Sequence, residues 1–149
     1  MIATNFDNLN PVALLPHRAP MLLVDKVVHT DFDKSITVET TIDKDSFFMR
    51  GHFPGYPLLP GVIIIEMMFQ ACGILNRVSS SEQSQQEPRT RIGKAVKVKS
   101  AVFSKEVLPG SVLRITAEKV HSLFHFSEYK VTASVAGKNV CKAELTLSI

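Results

Sequence analysis

Apolar and polar residues alternate along this chain with two different periods. From Ser35 to Ile42 the side chains Ile36, Val38, Thr40 and Ile42 fall on every second position, the period of a half-buried strand. Met21 to Thr30 is apolar and β-branched and predicts a strand just before it. A hairpin-length turn runs through Asp31, Phe32, Asp33 and Lys34 between the two. Residues 43–60 are interrupted by Pro and Gly and predict irregular structure. The period then changes. From about residue 61 to 78, Val62, Ile63, Ile64, Ile65, Met67, Met68, Phe69, Ala71, Ile74 and Leu75 cover nearly every side of a helix. A helix that is apolar all round is a buried one. Strand patterns return at about 92–104, 111–121, 124–136 and 139–148, with turns at Pro109-Gly110 and Gly137-Lys138-Asn139.

The other stretches are short. Residues 1–16 predict a helical lead-in capped by Asp7 or Asn8 and anchored by Val12, Leu14 and Leu15. Ser79 to Glu87 is polar and low in complexity, a surface loop and not a domain linker, because too little chain precedes it for a second core. The order β-β-helix-β-β-β-β predicts an α+β fold in which an antiparallel sheet wraps around one long central buried helix. At 149 residues the expectation is a single domain over residues 1–149.

Composition narrows the class. The formal charge of +3 is mild, favours acidic partners weakly and comes with no nucleic-acid-binding motif. Cys72 and Cys141 lie far apart without metal-ligand spacing and read as reduced thiols of a cytosolic protein. Met1 to Asn10 is polar and lacks a signal pattern. The apolar run 62–75 is shorter than the ~20 residues that span a bilayer. These features predict a soluble cytoplasmic protein with no membrane partner.

Against that background one acid stands out. Glu66 is the only carboxylate in the apolar helix, and such a group must be paired, neutralised or used. Gln70 follows four positions later on the same face and can hydrogen-bond it. His52 precedes it in the stiff segment Gly51-His52-Phe53-Pro54-Gly55-Tyr56-Pro57-Leu58-Leu59-Pro60-Gly61. An imidazole titrates near pH ~6.5 and can serve as a base, while desolvation on an apolar helix raises a carboxyl toward the range of a proton donor. A lone histidine is more often structural than catalytic, and it is the pairing with Glu66 that raises His52 above that background. The amides at the helix start, with Gly61, can polarise a carbonyl. Phe53, Gly61, Val62 and Gln70 form the expected substrate-binding set, with Gln70 also a support for the acid. His17 and Arg18 read as packing groups, and His29, His121 and His125 as solvated strand residues.

The same residues carry a family likeness. Leu15-Pro16-His17-Arg18-Ala19-Pro20-Met21-Leu22-Leu23-Val24-Asp25-Lys26-Val27, the segment Gly51 to Gln70, and Val107-Leu108-Pro109-Gly110 occur in this order and spacing across nearly the whole chain. In them the chain resembles the FabZ-type 3-hydroxyacyl-[acyl-carrier-protein] dehydratases. The resemblance implies a hot-dog fold and a homodimer, often assembled further as a trimer of dimers. It implies that His52 and Glu66 act as base and acid across the dimer interface. It also implies a substrate carried on the phosphopantetheine of an acyl carrier protein, with no metal or other cofactor. The chain departs from the family pattern at Tyr56, Met67, Met68, Phe69, Glu106 and Ser111. These changes leave acid and base in place and bear on the acyl chain, which points to a specialised polyketide or aryl-polyene route as well as to fatty-acid synthesis.

Arg89, Arg91 and Lys94, followed by Lys97, Lys99 and Lys105, form a basic run without an intervening acid. A solvated strand face is the usual fate of such a run, but an acidic carrier partner makes Arg89, Arg91 and Lys94 candidates for docking it. Two other functions use the same features: a hot-dog thioesterase in which Glu66 activates water, and a non-catalytic partner that binds acyl carriers. The presence of both His52 and Glu66 favours the dehydratase.

Overall fold

The computed structural model describes residues 5–79 and 92–149. Its elements are α1 (Pro11–Leu14), β1 (Lys26–Thr30), β2 (Ser35–Thr41), a 3-10 turn (Phe47–Met49), α2 (Gly61–Ser79), β3 (Lys94–Phe103), β4 (Val112–Leu123), β5 (Phe126–Val135) and β6 (Lys138–Ser148). The strands form one sheet in the order β1-β2-β4-β5-β6-β3, and every neighbouring pair is antiparallel. Helix α2 lies across the face made by β2, β4, β5 and β6.

Period-two patterning builds that face. Ile36 and Val38 of β2, Leu113, Ile115 and Ala117 of β4, Tyr129, Val131 and Ala133 of β5, and Cys141, Ala143, Leu145 and Leu147 of β6 are all buried. From the helix, Ile64, Met67, Met68, Ala71, Cys72, Ile74 and Leu75 fill the space against them. Each fully buried Val, Leu, Ile or Met among them contributes about 1.5–3 kcal/mol. A sheet curled around one buried helix is the hot-dog fold. Both cysteines are buried and free, and loss of hydration pushes the Cys141 thiol up to about 11 and the Cys72 thiol higher still.

Several boundaries differ from expectation, each for a physical reason. The α1 cap is Asn10, whose Oδ1 accepts the Val12 N–H at 3.0 Å, and not Asp7 or Asn8. Strand β1 begins at Lys26 instead of Met21. Residues 21–25 are apolar because Leu23 and Val24 are buried, but the Met21 carbonyl and Leu23 amide bond a side chain of α2 instead of a strand. By length and apolarity α2 could itself cross a bilayer, contrary to the sequence estimate. Its burial against the sheet assigns it to the core. The helix is not covered on all sides, however: Val62 is 76% exposed. Of the polar loop at 79–87, Ser79 closes α2 and the rest lies outside the described residues.

The last strand in the sheet order, β3, is exposed along nearly its whole length. It pairs with β6 on one side, and Val96, Val98, Val102 and Phe103 are all exposed. A long apolar edge strand is a template for another strand.

Candidate active site

The loop between the 3-10 turn and α2 is braced by its own backbone. Phe53 and Tyr56 exchange N–H···O bonds of 2.8 and 2.9 Å, the Leu58 N–H reaches the His52 carbonyl at 2.8 Å, and the Leu59 N–H reaches the Val107 carbonyl at 2.9 Å. Gly51 and Gly55 take φ of 81° and 76°, values that a side chain would disfavour. Tyr56 adds a side-chain tie, donating its hydroxyl to Glu106 at 2.5 Å. The two side chains thus tie the loop to the segment after β3. The carboxylate beside the phenol raises the Tyr56 pKa.

His52 is presented by this loop, half-buried and stacked on Phe53 with ring centroids 4.1 Å apart. Its Nδ1 lies 2.8 Å from the Leu58 carbonyl oxygen. A carbonyl can only accept, so Nδ1 carries the proton of the neutral ring. The lone pair is then on Nε2, where a base needs it.

Glu66 sits one turn into α2 with its side chain 30% exposed, so the apolar helix shields it only in part. Its Oε1 accepts the Gln70 amide at 3.0 Å. The orientation of that amide is set by its other neighbours. The Leu23 N–H can only donate and meets Gln70 Oε1 at 2.9 Å; the Met21 carbonyl can only accept and meets Nε2 at 2.7 Å. Gln70 is 1% exposed, and its amide is engaged by the protein on both ends. It supports the acid from behind, while the substrate-facing role expected of it has no exposed polar atom to serve it.

A residue that sequence reasoning had assigned to packing joins this group. His17 Nε2 lies 3.5 Å from Glu66 Oε1. The spacing between positions 17 and 66 carries no helical or strand periodicity, so only the packing of the 15–23 segment on α2 brings the two together. His17, Glu66, Gln70, Asn76 and Arg77 contribute the polar lining of a cavity of about 70 Å³, with Phe69 and Leu147 among its apolar walls.

Within the chain Glu66 meets His17 and Gln70, while His52 meets Leu58 and Phe53. At the helix start, Pro60 accepts the Ile63 and Ile64 amides at 3.0 and 3.3 Å, so the amides of Gly61 and Val62 precede the first intrahelical bonds. A Cβ on Gly61 would come within 2.9 Å of the Phe103 ring. The missing side chain thus makes room for β3, where a close approach of substrate had been expected. Phe53 is 50% exposed beside His52.

Of the bulky helix residues, Met68 is wholly buried core, Met67 reaches an open groove of about 920 Å³ with Leu22, Leu23, Phe47 and Phe48, and Phe69 lines the small cavity beside Glu66. Lys94 opens β3 and is exposed, as are Lys97 and Lys99; Arg89 and Arg91 lie outside the described residues.

Comparison with known proteins adds identity to this geometry. A family model described as a FabA-like domain matches residues 15–144. The 3-hydroxyacyl-[acyl-carrier-protein] dehydratase FabZ of Ruminiclostridium cellulolyticum is 35% identical over 136 residues, covering 91% of this chain and 92% of that protein. The protein of the same name from Levilactobacillus brevis is 39% identical over 138 residues, covering 93% and 89%. Among solved structures, the dehydratase heterocomplex ApeI:P from Xenorhabdus doucetiae superposes with a TM-score of 0.80 at 24% identity, covering 93% of this chain and 90% of that one. That last likeness speaks for the fold.

Proposed function

The chain belongs to the FabA-like family, among its FabZ-type dehydratases, and is a hydro-lyase; from that premise we propose that it converts a (3R)-3-hydroxyacyl thioester on an acyl carrier protein into the trans-2-enoyl thioester. His52 Nε2 takes the C2 proton. The C2–H electrons form the C2=C3 bond as the C3–O bond breaks, and the departing hydroxyl takes a proton from Glu66 and leaves as water. Proton return from His52 to Glu66 resets the pair. The amides at Gly61 and Val62 polarise the thioester oxygen as enolate charge grows. The substrate arrives on a phosphopantetheine arm, and no metal or further cofactor takes part.

The observation that carries this reading is the Leu58 carbonyl on His52 Nδ1, which leaves Nε2 unprotonated in the neutral ring. The separate contact sets of His52 and Glu66 fit a homodimer in which His52 of one protomer faces Glu66 of its partner, with β3 as the edge that joins the two sheets. Such dimers can group as a trimer. Lys94, with Arg89 and Arg91, steers the acidic carrier. Met67 in the groove wall and Phe69 beside Glu66 favour a restricted acyl chain, of the kind a specialised polyketide or aryl-polyene route supplies, over the full range of fatty-acid synthesis. We place the enzyme in the cytoplasm with its carrier.

The test is mass spectrometry of an intact 3-hydroxyacyl carrier after incubation with wild type, His52→Ala and Glu66→Gln. Wild type removes one water, and each variant slows the reaction by about 10²–10⁴-fold, the usual worth of a general acid or base. A carrier stripped of its acyl group would replace the dehydratase with a thioesterase.

A further inference from the structure

The contacts of Glu66 are one-sided. The Gln70 amide and the His17 ring both approach Oε1, at 3.0 and 3.5 Å. Gln70 can only donate there, because Leu23 and Met21 fix its amide. His17 can be assigned in the same way. Among the described residues its Nδ1 is buried without a hydrogen-bond partner. A neutral imidazole holds one ring proton. On Nδ1 that proton would be a buried, unpaired donor, which is costly to maintain. On Nε2 it points toward Glu66 Oε1, 3.5 Å away, an ion-pair distance from which a small approach would make the hydrogen bond.

The ring is held in place by the chain around it. Arg18 donates to the Leu15 and His17 carbonyls at 3.0 and 2.6 Å. The Met21 and Leu22 amides both return to the Arg18 carbonyl, at 2.8 and 3.1 Å. The segment that presents His17 is therefore the same one whose Met21 and Leu23 backbone grips Gln70. Both donors to Glu66 are oriented by a single braced turn.

We propose that His17 is a positioning residue for the acid: with Gln70 it places two N–H donors on Glu66 Oε1, which makes that oxygen the carbonyl of the carboxyl group and leaves the transferable proton on Oε2. The carbonyl oxygen of a carboxylic acid is a better acceptor than its hydroxyl, so two donors on one oxygen select the other for the proton. His17 does not touch the substrate. It governs which Glu66 oxygen faces the leaving hydroxyl with a proton, and so acts on kcat and not on substrate binding. The inference rests on the dehydratase role of Glu66.

Two substitutions and one spectrum test it. His17→Gln retains an N–H near the position of Nε2; His17→Leu fills a similar volume without a donor. The Leu variant should lose about tenfold or more in kcat, with KM changed by no more than about twofold, and the Gln variant should recover most of that loss. In ¹⁵N-labelled wild type, the side-chain nitrogen shifts of His17 should report a neutral ring protonated on Nε2. The idea fails if folded His17→Leu keeps wild-type kcat, if His17→Gln is no better than His17→Leu, or if His17 carries its proton on Nδ1. The spectrum needs no turnover, so it separates failure of the positioning role from failure of the dehydratase assignment, which would show as an inert wild type.

Discussion

Gln70 shows how much one buried amide can organise. It joins α2 to the 21–23 segment and also holds Glu66. Gln70→Leu leaves the Met21 carbonyl and Leu23 amide without those partners. Unmet buried groups cost ~1–3 kcal/mol each, so urea denaturation should show a loss of about 2–6 kcal/mol. Turnover should fall with it, as Glu66 loses a donor; unchanged stability would remove Gln70 from this role. The Tyr56–Glu106 contact predicts a titration. The phenol is held above its ordinary value of 10.0 by the adjacent carboxylate. Any contribution of this bond is complete below pH ~10 and is lost as pH rises through the folded-state value. Ultraviolet titration of Tyr56 should therefore end later in wild type than in Glu106→Gln, and equal midpoints would deny the coupling. At this scale the sequence was informative about Glu66, Gln70 and His52, because each is a chemical exception within its segment. It was silent on His17, whose relation to Glu66 exists only after a loop packs on a helix.

The elements were legible wherever periodicity was long. Strand β2 buries Ile36, Val38 and Thr40 on one face, as its alternation predicts. Helix α2 starts where Pro60-Gly61 ends the loop. Boundaries failed where apolar residues were buried without being in a strand, as at Leu23 and Val24. The β1–β2 turn is a case in which local polar chemistry decides. Asp31 Oδ1 accepts the amides of Asp33, Lys34 and Ser35 at 3.0, 2.8 and 2.9 Å, and these bonds hold its pKa below 3.8. A depressed carboxyl contributes stability above its unfolded value and loses it as pH falls through the folded one. Asp31→Ala should cost about 1 kcal/mol at pH 7, kept small by solvent screening at this exposed turn. The cost should shrink as pH falls below ~3.8, where the unfolded carboxyl takes up its proton first, and vanish once pH passes the lower folded value. Denaturation curves at pH 7 and pH 3 measure it, and a pH-independent cost would mean that the carboxylate charge is irrelevant.

For the whole molecule, the central expectation was an antiparallel sheet around one helix, and the sheet order realises it. The pattern of β3 was harder to read, since a strand exposed on both faces looks in sequence like any other alternating segment. If its edge joins two protomers, the double variant Val96→Glu, Val98→Glu should be monomeric by light scattering. It should also be inactive, because His52 and Glu66 would no longer meet. A dimeric, active double variant would place the interface elsewhere. Lys94, Lys97 and Lys99 punctuate this same apolar edge. Left open, an uncharged ribbon of this kind would accept any extended chain nearby and seed fibrous precipitates. Ammonium groups are costly to desolvate between stacked strands, so the lysines guard this edge. Replacing them would then lower the yield of soluble protein from the cell.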